Sequence, residues 1–211
     1  MSLAHTLASR TAFGGMPDAV LHLEINLAEH TRRQAAGIGP VTGYGFGGLG
    51  TLGTLPENLP VPLAALTPAQ REYISQAPAG ICAVSRNQVT RHAIPVCQVT
   101  LAETAAPMLG RLAFDAAGSY RQFTTAAVRI GRRRPRTDDW LGAFARAGMG
   151  VFLGTGDRTV TLARPRPRLR VTLESWWFAE TAYAAYLHQT GQAPPDRATE
   201  EPGRCSGPTG E

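Results

Sequence analysis

Ala19-Val20-Leu21-His22-Leu23-Glu24-Ile25-Asn26-Leu27 alternates without a break. Leu21, Leu23, Ile25 and Leu27 fall on one side of an extended chain; His22, Glu24 and Asn26 fall on the other. Period two over such a run means a half-buried strand. The chain therefore contains a sheet with one apolar face, and the rest is read outward from it.

Residues 28–36 fit a short helix. Residues 37–53 carry glycine at almost every second position, which predicts a long loop that continues through the proline-rich 56–62. Thr67-Pro68-Ala69-Gln70 opens a helix, with Thr67 as N-cap, Pro68 at the first helical position and Gln70 closing a capping box. That helix should end near Gly80. Residues 81–86 and 89–99 read as strands around a turn at Arg86–Gln88. Thr100 and Glu103 have capping-box spacing and predict a second helix to about Ala117, kinked or restarted at Pro107. A strand over 120–130 and a loop over 131–136 follow. Thr137 reads as the cap of a helix with Asp138 and Asp139 in its first turn, ending at Gly148. Residues 150–153 and 158–163 form a hairpin pattern around Gly154-Thr155-Gly156-Asp157. Ser175 reads as the cap of a last, aromatic helix ending near Gly191.

The expected fold is mixed α/β or α+β: about five or six short strands in a mixed sheet, about four helices and a glycine-rich long loop near the N-terminus. One globular domain over residues 1–191 fits the length. Residues 192–211 are proline, glycine, charge and small polar groups, the composition of a disordered tail.

Charge is segregated. All 21 basic residues are arginine. Between Arg129 and Arg170 stand eleven arginines against Asp138, Asp139 and Asp157, a formal +8, while the rest of the chain is net negative. Arginine without lysine is the codon signature of a high-GC genome, which accounts for the residue type but not for its clustering. The missing lysine excludes a P-loop, a protein kinase, and Schiff-base or PLP chemistry. Three cysteines, Cys82, Cys97 and Cys205, form no Cys-x-x-Cys, so neither a zinc ribbon nor a redox motif is expected. Free thiols, no apolar run of membrane length and no leader-like N-terminus point to a cytoplasmic protein without a membrane partner.

Arg164-Pro165-Arg166-Pro167-Arg168-Leu169-Arg170 is the strongest functional signal. Its prolines enforce extended backbone, so the four guanidinium groups should share one side, a phosphate-binding ladder. The competing reading is an edge protected by charge and proline. Arg129, Arg132, Arg133, Arg134 and Arg136 form a second cluster that extends the same patch if both share a face. The expected partner is nucleic acid or another polyanion, DNA or RNA, held by sequence-independent phosphate contacts. The alternative is an adaptor that docks acidic proteins, or self-associates, through these arginines and the Trp176-Trp177-Phe178 helix.

His22 and Glu24 are the candidates for a catalytic or small-molecule site, with His30, His92 and His188 as partners only if the fold brings them near. His-x-Glu is the zinc-deaminase arrangement, but that also needs Pro-Cys-x-x-Cys, and Pro95-Val96-Cys97 lacks the second cysteine. Gly37-Ile38-Gly39-Pro40-Val41-Thr42-Gly43 is only loosely a Gly-x-Gly-x-x-Gly, with three residues between its last two glycines; it precedes no predicted helix and follows no strand, so it is not a dinucleotide fingerprint. No cofactor and no metal is expected.

Overall fold

A computed structural model of the chain describes residues 1–8, 13, 15–41, 45–168 and 171–192. The expected tail lies outside them from residue 193 on, as do Leu169 and Arg170.

Strand β1 (Ser2–Ala8) pairs antiparallel with β2 (Ala19–Asn26), the alternating stretch. Leu21, Leu23 and Ile25 are fully buried, as their register demands, and Val20 and Glu24 are exposed. Asn26 then caps α1 (Leu27–Ala35), its side chain accepting from the Glu29 amide.

Residues 45–54, expected as loop, form helix α2 (Gly45–Thr54). Leu49 and Leu52, three apart, are buried in a cluster with Trp176. That burial outweighs a helix penalty of about 1 kcal/mol per glycine. A three-stranded sheet follows in the order β3 (Pro60–Pro62), β5 (Gln88–Arg91), β4 (Cys82–Ser85), with α3 (Pro68–Gln76) between β3 and β4 in the chain. The Thr67 capping box of α3 is present with both hydrogen bonds. Arg86 and Asn87 take positive φ, 48° and 65°, the backbone that lets a two-residue turn follow strand twist.

The second capping box is not one. Residues 97–106 form β6 (Cys97–Ala106), which pairs antiparallel with β2 and parallel with β7 (Ala126–Ile130). Thr100 sits where the β2 register slips, and its hydroxyl donates to the His22 carbonyl at 3.1 Å. Glu103 is buried on the sheet, against Arg129. Pairing on both sides overrides the helical bias of the alanines, and helix α4 (Arg111–Gly118) starts only after Pro107. The strand expected over 120–130 is shorter, because Tyr120 to Thr124 turn back on the helix end.

Helix α5 (Thr137–Arg146) joins β7 to β8 (Gly150–Leu153), and β9 (Val160–Ala163) returns antiparallel. Thr137 is not the cap: Arg136 holds that position, and the Thr137 hydroxyl accepts from the Arg134 amide. Helix α6 (Leu173–Gln189) is capped by Thr172, with Ser175 as the third helical residue of a capping box rather than the cap itself. The large sheet thus runs β1-β2-β6-β7-β8-β9, and α4, α5 and α6 share one core with its apolar side. Among the described residues six α-helices form, more than the roughly four expected. Among the described residues no helix is long and apolar enough to cross a membrane.

Candidate anion-binding cleft

The two arginine clusters lie at opposite ends of the sheet. Strands β6, β7 and β8 are parallel, so the loop 131–136 leaves β7 at its carboxyl end. Strand β9 runs back along β8, so residues 164–168 emerge beside the amino ends of β8 and β7. Five residues of β7 separate the two ends, about 16 Å at the usual strand rise.

The first cluster is largely engaged within the protein. Arg129 forks onto Glu103, with Nε and Nη2 at 2.5 and 2.7 Å from the two carboxylate oxygens. Its Nη1 donates to the Gly154 carbonyl and the Thr159 hydroxyl, and its guanidinium lies 5.5 Å from the Phe152 ring centre. Arg133 pairs with Asp138 and Arg136 with Asp139. Arg134 is half-buried with Nε shielded from solvent, and Arg132 is exposed.

The second cluster is differently placed. Two glycines let residues 164–168 fold across the sheet end. Gly148 ends α5 with φ +70°, and the Arg166 stem packs over it. A Cβ on Gly150 would stand 2.9 Å from Pro165 Cδ and 3.0 Å from Ala127 Cβ, so only glycine admits the proline. The Arg166 amide then donates to the Gly148 carbonyl and the Arg168 amide to the Thr125 hydroxyl. Arg168 also donates a guanidinium hydrogen to the Arg121 carbonyl. Arg166 and Arg168 thereby line a cleft of about 240 Å³ together with Arg121, Arg146, Thr124 and Thr125. Among the described residues no carboxylate lines it. Arg164 is exposed outside this cleft, and Arg170 lies outside the described residues.

Arg121 and Arg146 were not singled out by sequence. Each follows or ends a helix, α4 and α5, where a cation also balances the terminal carbonyls. Only the parallel pairing of β6, β7 and β8 brings those two helix ends together.

A larger cleft of about 650 Å³ adjoins the first, sharing Thr124 and Arg168 with it. Phe123, Pro95 and Trp176 give it an apolar wall, and Glu24, Gln98 and Glu57 a polar one. Cys97 also lines it. Burial pushes its thiol well above the usual range, and its Sγ hydrogen is directed at the Ala179 carbonyl at 3.1 Å.

His22 and Glu24 share the solvent side of β2, but only Glu24 lines a cleft. His22 is half-buried, opposite Thr6 and Leu101, with a shielded Nε2 that has no hydrogen-bond partner among the described residues. His30 contacts the Tyr183 hydroxyl at 2.9 Å, and His92 the Asn58 amide oxygen at 3.0 Å. His188 is exposed near the end of α6. Among the described residues no three His, Cys, Asp or Glu side chains are placed to hold a metal ion.

Comparison with protein-family models, with curated proteins and with solved structures finds no match to this chain.

Proposed function

We propose that the protein binds nucleic acid, single-stranded where it enters the cleft, through phosphate contacts from Arg121, Arg146, Arg166 and Arg168. The observation that supports this reading is that four arginines, from three separate stretches of chain, line one concave cleft to which no carboxylate among the described residues contributes. Arginine forks match phosphate oxygens. A cleft also favours a strand whose backbone can bend into it, and aromatic side chains beside it suit unstacked bases. Arg129 belongs to the fold in this reading, and Arg132, Arg133 and Arg136 at the far end of β7 add only long-range attraction.

The test is fluorescence anisotropy with a labelled single-stranded oligonucleotide across a salt series. Each phosphate neutralised on a single strand contributes a slope of about −0.7 in log K against log salt. Four arginines therefore give a slope of roughly −3. Absence of binding at low salt, or a flat response between about 50 mM and about 200 mM salt, overturns the reading.

A further inference from the structure

We infer that the protein self-associates through strand β1, which pairs antiparallel with β1 of a second copy about a two-fold axis at His5 and joins the two large sheets into one. This goes beyond the anion-binding reading and does not depend on it.

An edge strand presents a row of unpaired amide and carbonyl groups, and proteins guard such edges with short strands, charge, proline or a bulge. The large sheet ends in β1 and β9. Strand β9 carries every one of these guards. It has four residues, its pairing with β8 slips between Val151 and Phe152, and it runs directly into Arg164-Pro165-Arg166-Pro167. The small sheet ends in β3 and β4, of three and four residues, the first with two prolines. Strand β1 carries none of these guards. It has seven residues, Ser-Leu-Ala-His-Thr-Leu-Ala, with no proline, arginine or carboxylate, and it pairs with β2 without a register slip. Among the described residues no strand pairs with its outer side.

What fits that edge is read from the strand itself. Leu3, His5 and Leu7 lie opposite the buried Ile25, Leu23 and Leu21, so they face the helices; Ser2, Ala4, Thr6 and Ala8 face the other way. The order small, Leu, small, His, small, Leu, small is the same in both directions. In an antiparallel pair centred on His5, Leu3 stands opposite Leu7 of the second copy, Ala4 opposite Thr6, and Ser2 opposite Ala8. Apolar meets apolar on one face, small meets small on the other, and no charge meets its like. Leu3 is 43% exposed although it faces the helical side, where Leu7 is 3% exposed. Directly opposed side chains stand about 5 Å apart, so the pairing sets Leu3 against Leu7 of the second copy and covers it.

A two-fold interface uses the same patch on both copies, and a strand that is its own complement meets that condition. An unrelated peptide would have no reason to match this register. The joined sheet then ends in β9 on both sides, where the guards stand, so assembly stops at two copies.

The experiment is analytical ultracentrifugation of the full chain across a concentration series. The expected species has twice the 22.5 kDa of one chain. Ala4 and Thr6 are exposed, so charge can be placed there without entering the core. Ala4→Lys with Thr6→Lys sets lysines opposite each other and should weaken the dimer at least about tenfold. Ala4→Glu with Thr6→Lys sets opposite charges against each other in the same register and should keep it. Hydrogen exchange of the unaltered chain gives a second reading: amides of Ser2–Ala8 should gain protection as concentration rises, and those of β9 should not. A chain that stays monomeric, a dimer that survives the lysine pair, equal loss in both variants, or β1 exchange indifferent to concentration overturns the inference.

Discussion

Arg33 and Glu180 meet with both side chains wholly withdrawn from solvent, Nη1 standing 2.7 Å from Oε2. Arg33 on α1 also donates to Glu29 and to the Ile94 carbonyl. Glu180 on α6 accepts from the Val41 amide and the Trp176 indole. Arg32 pairs with Glu29 and reaches the Gly80 carbonyl. Two arginines balance two carboxylates, and the network ties the large sheet's helices to the segment that carries α2 and the small sheet.

Removing one member strands the other in the interior. Arg33→Met is expected to lower stability by about 3–5 kcal/mol, read from urea unfolding. The double variant Arg33→Met with Glu180→Gln should lose less than Arg33→Met alone, because no unpaired charge stays buried. A loss under about 1 kcal/mol for Arg33→Met would show that the pair behaves like a surface one.

Acid should undo the same network. Burial by itself would raise the Glu29 carboxyl, but hydrogen bonds from Arg32 and Arg33 outweigh it and hold it below the ordinary range. Its folded value thus lies below its unfolded one. The resulting stability is complete above the ordinary glutamate value of about 4.3, and is lost as pH falls through the folded value. The urea midpoint should drop between about pH 5 and about pH 3, and Glu29→Gln should show a shallower drop. Identical acid profiles for the two proteins would contradict this assignment.

The separation of the arginine clusters predicts unequal charge reversals. Arg166→Glu with Arg168→Glu should weaken oligonucleotide binding by at least about tenfold more than Arg132→Glu with Arg136→Glu, about 1.4 kcal/mol. Net charge changes equally in the two pairs. Equal weakening in anisotropy would mean that charge alone, rather than the cleft, governs binding.

Gly150 offers a test that touches no arginine. Gly150→Ala drives a methyl group into Pro165 and Ala127. Overpacking of this kind costs about 1–3 kcal/mol, and relief requires Pro165 to move, carrying Arg166 and Arg168 with it. Oligonucleotide affinity should fall while the protein still unfolds cooperatively. Unchanged affinity and melting temperature would show that residues 164–168 are not seated as described.

What was legible in the sequence was local. Alternation gave β2, the Thr67 box gave α3, and glycine with a short gap gave the β8–β9 hairpin, because each signal lies within the element it predicts. The Thr100 and Glu103 spacing misled, since the partners that make β6 a strand lie on β2 and β7, distant in the chain. Ser2–Ala8 carries too little apolar alternation to announce β1. Arg166 and Arg168 stood out by composition. Arg121 and Arg146 did not, because nothing near them in sequence says that two helix ends will meet across parallel strands.

Helix α2 has a consequence for motion. Five of its ten residues are glycine, so its persistence depends on Leu49 and Leu52 staying docked beside Trp176. A segment stabilised so narrowly opens by local unfolding at lower free energy than the sheet. Its amides should exchange with solvent deuterium well before those of β6 and β7. Gly50→Ala, whose added methyl meets nothing within 4 Å, should slow that exchange by about fivefold, the equivalent of about 1 kcal/mol of helix propensity. Trp176 also lines the larger cleft, so opening of α2 would loosen the packing behind one of that cleft's walls.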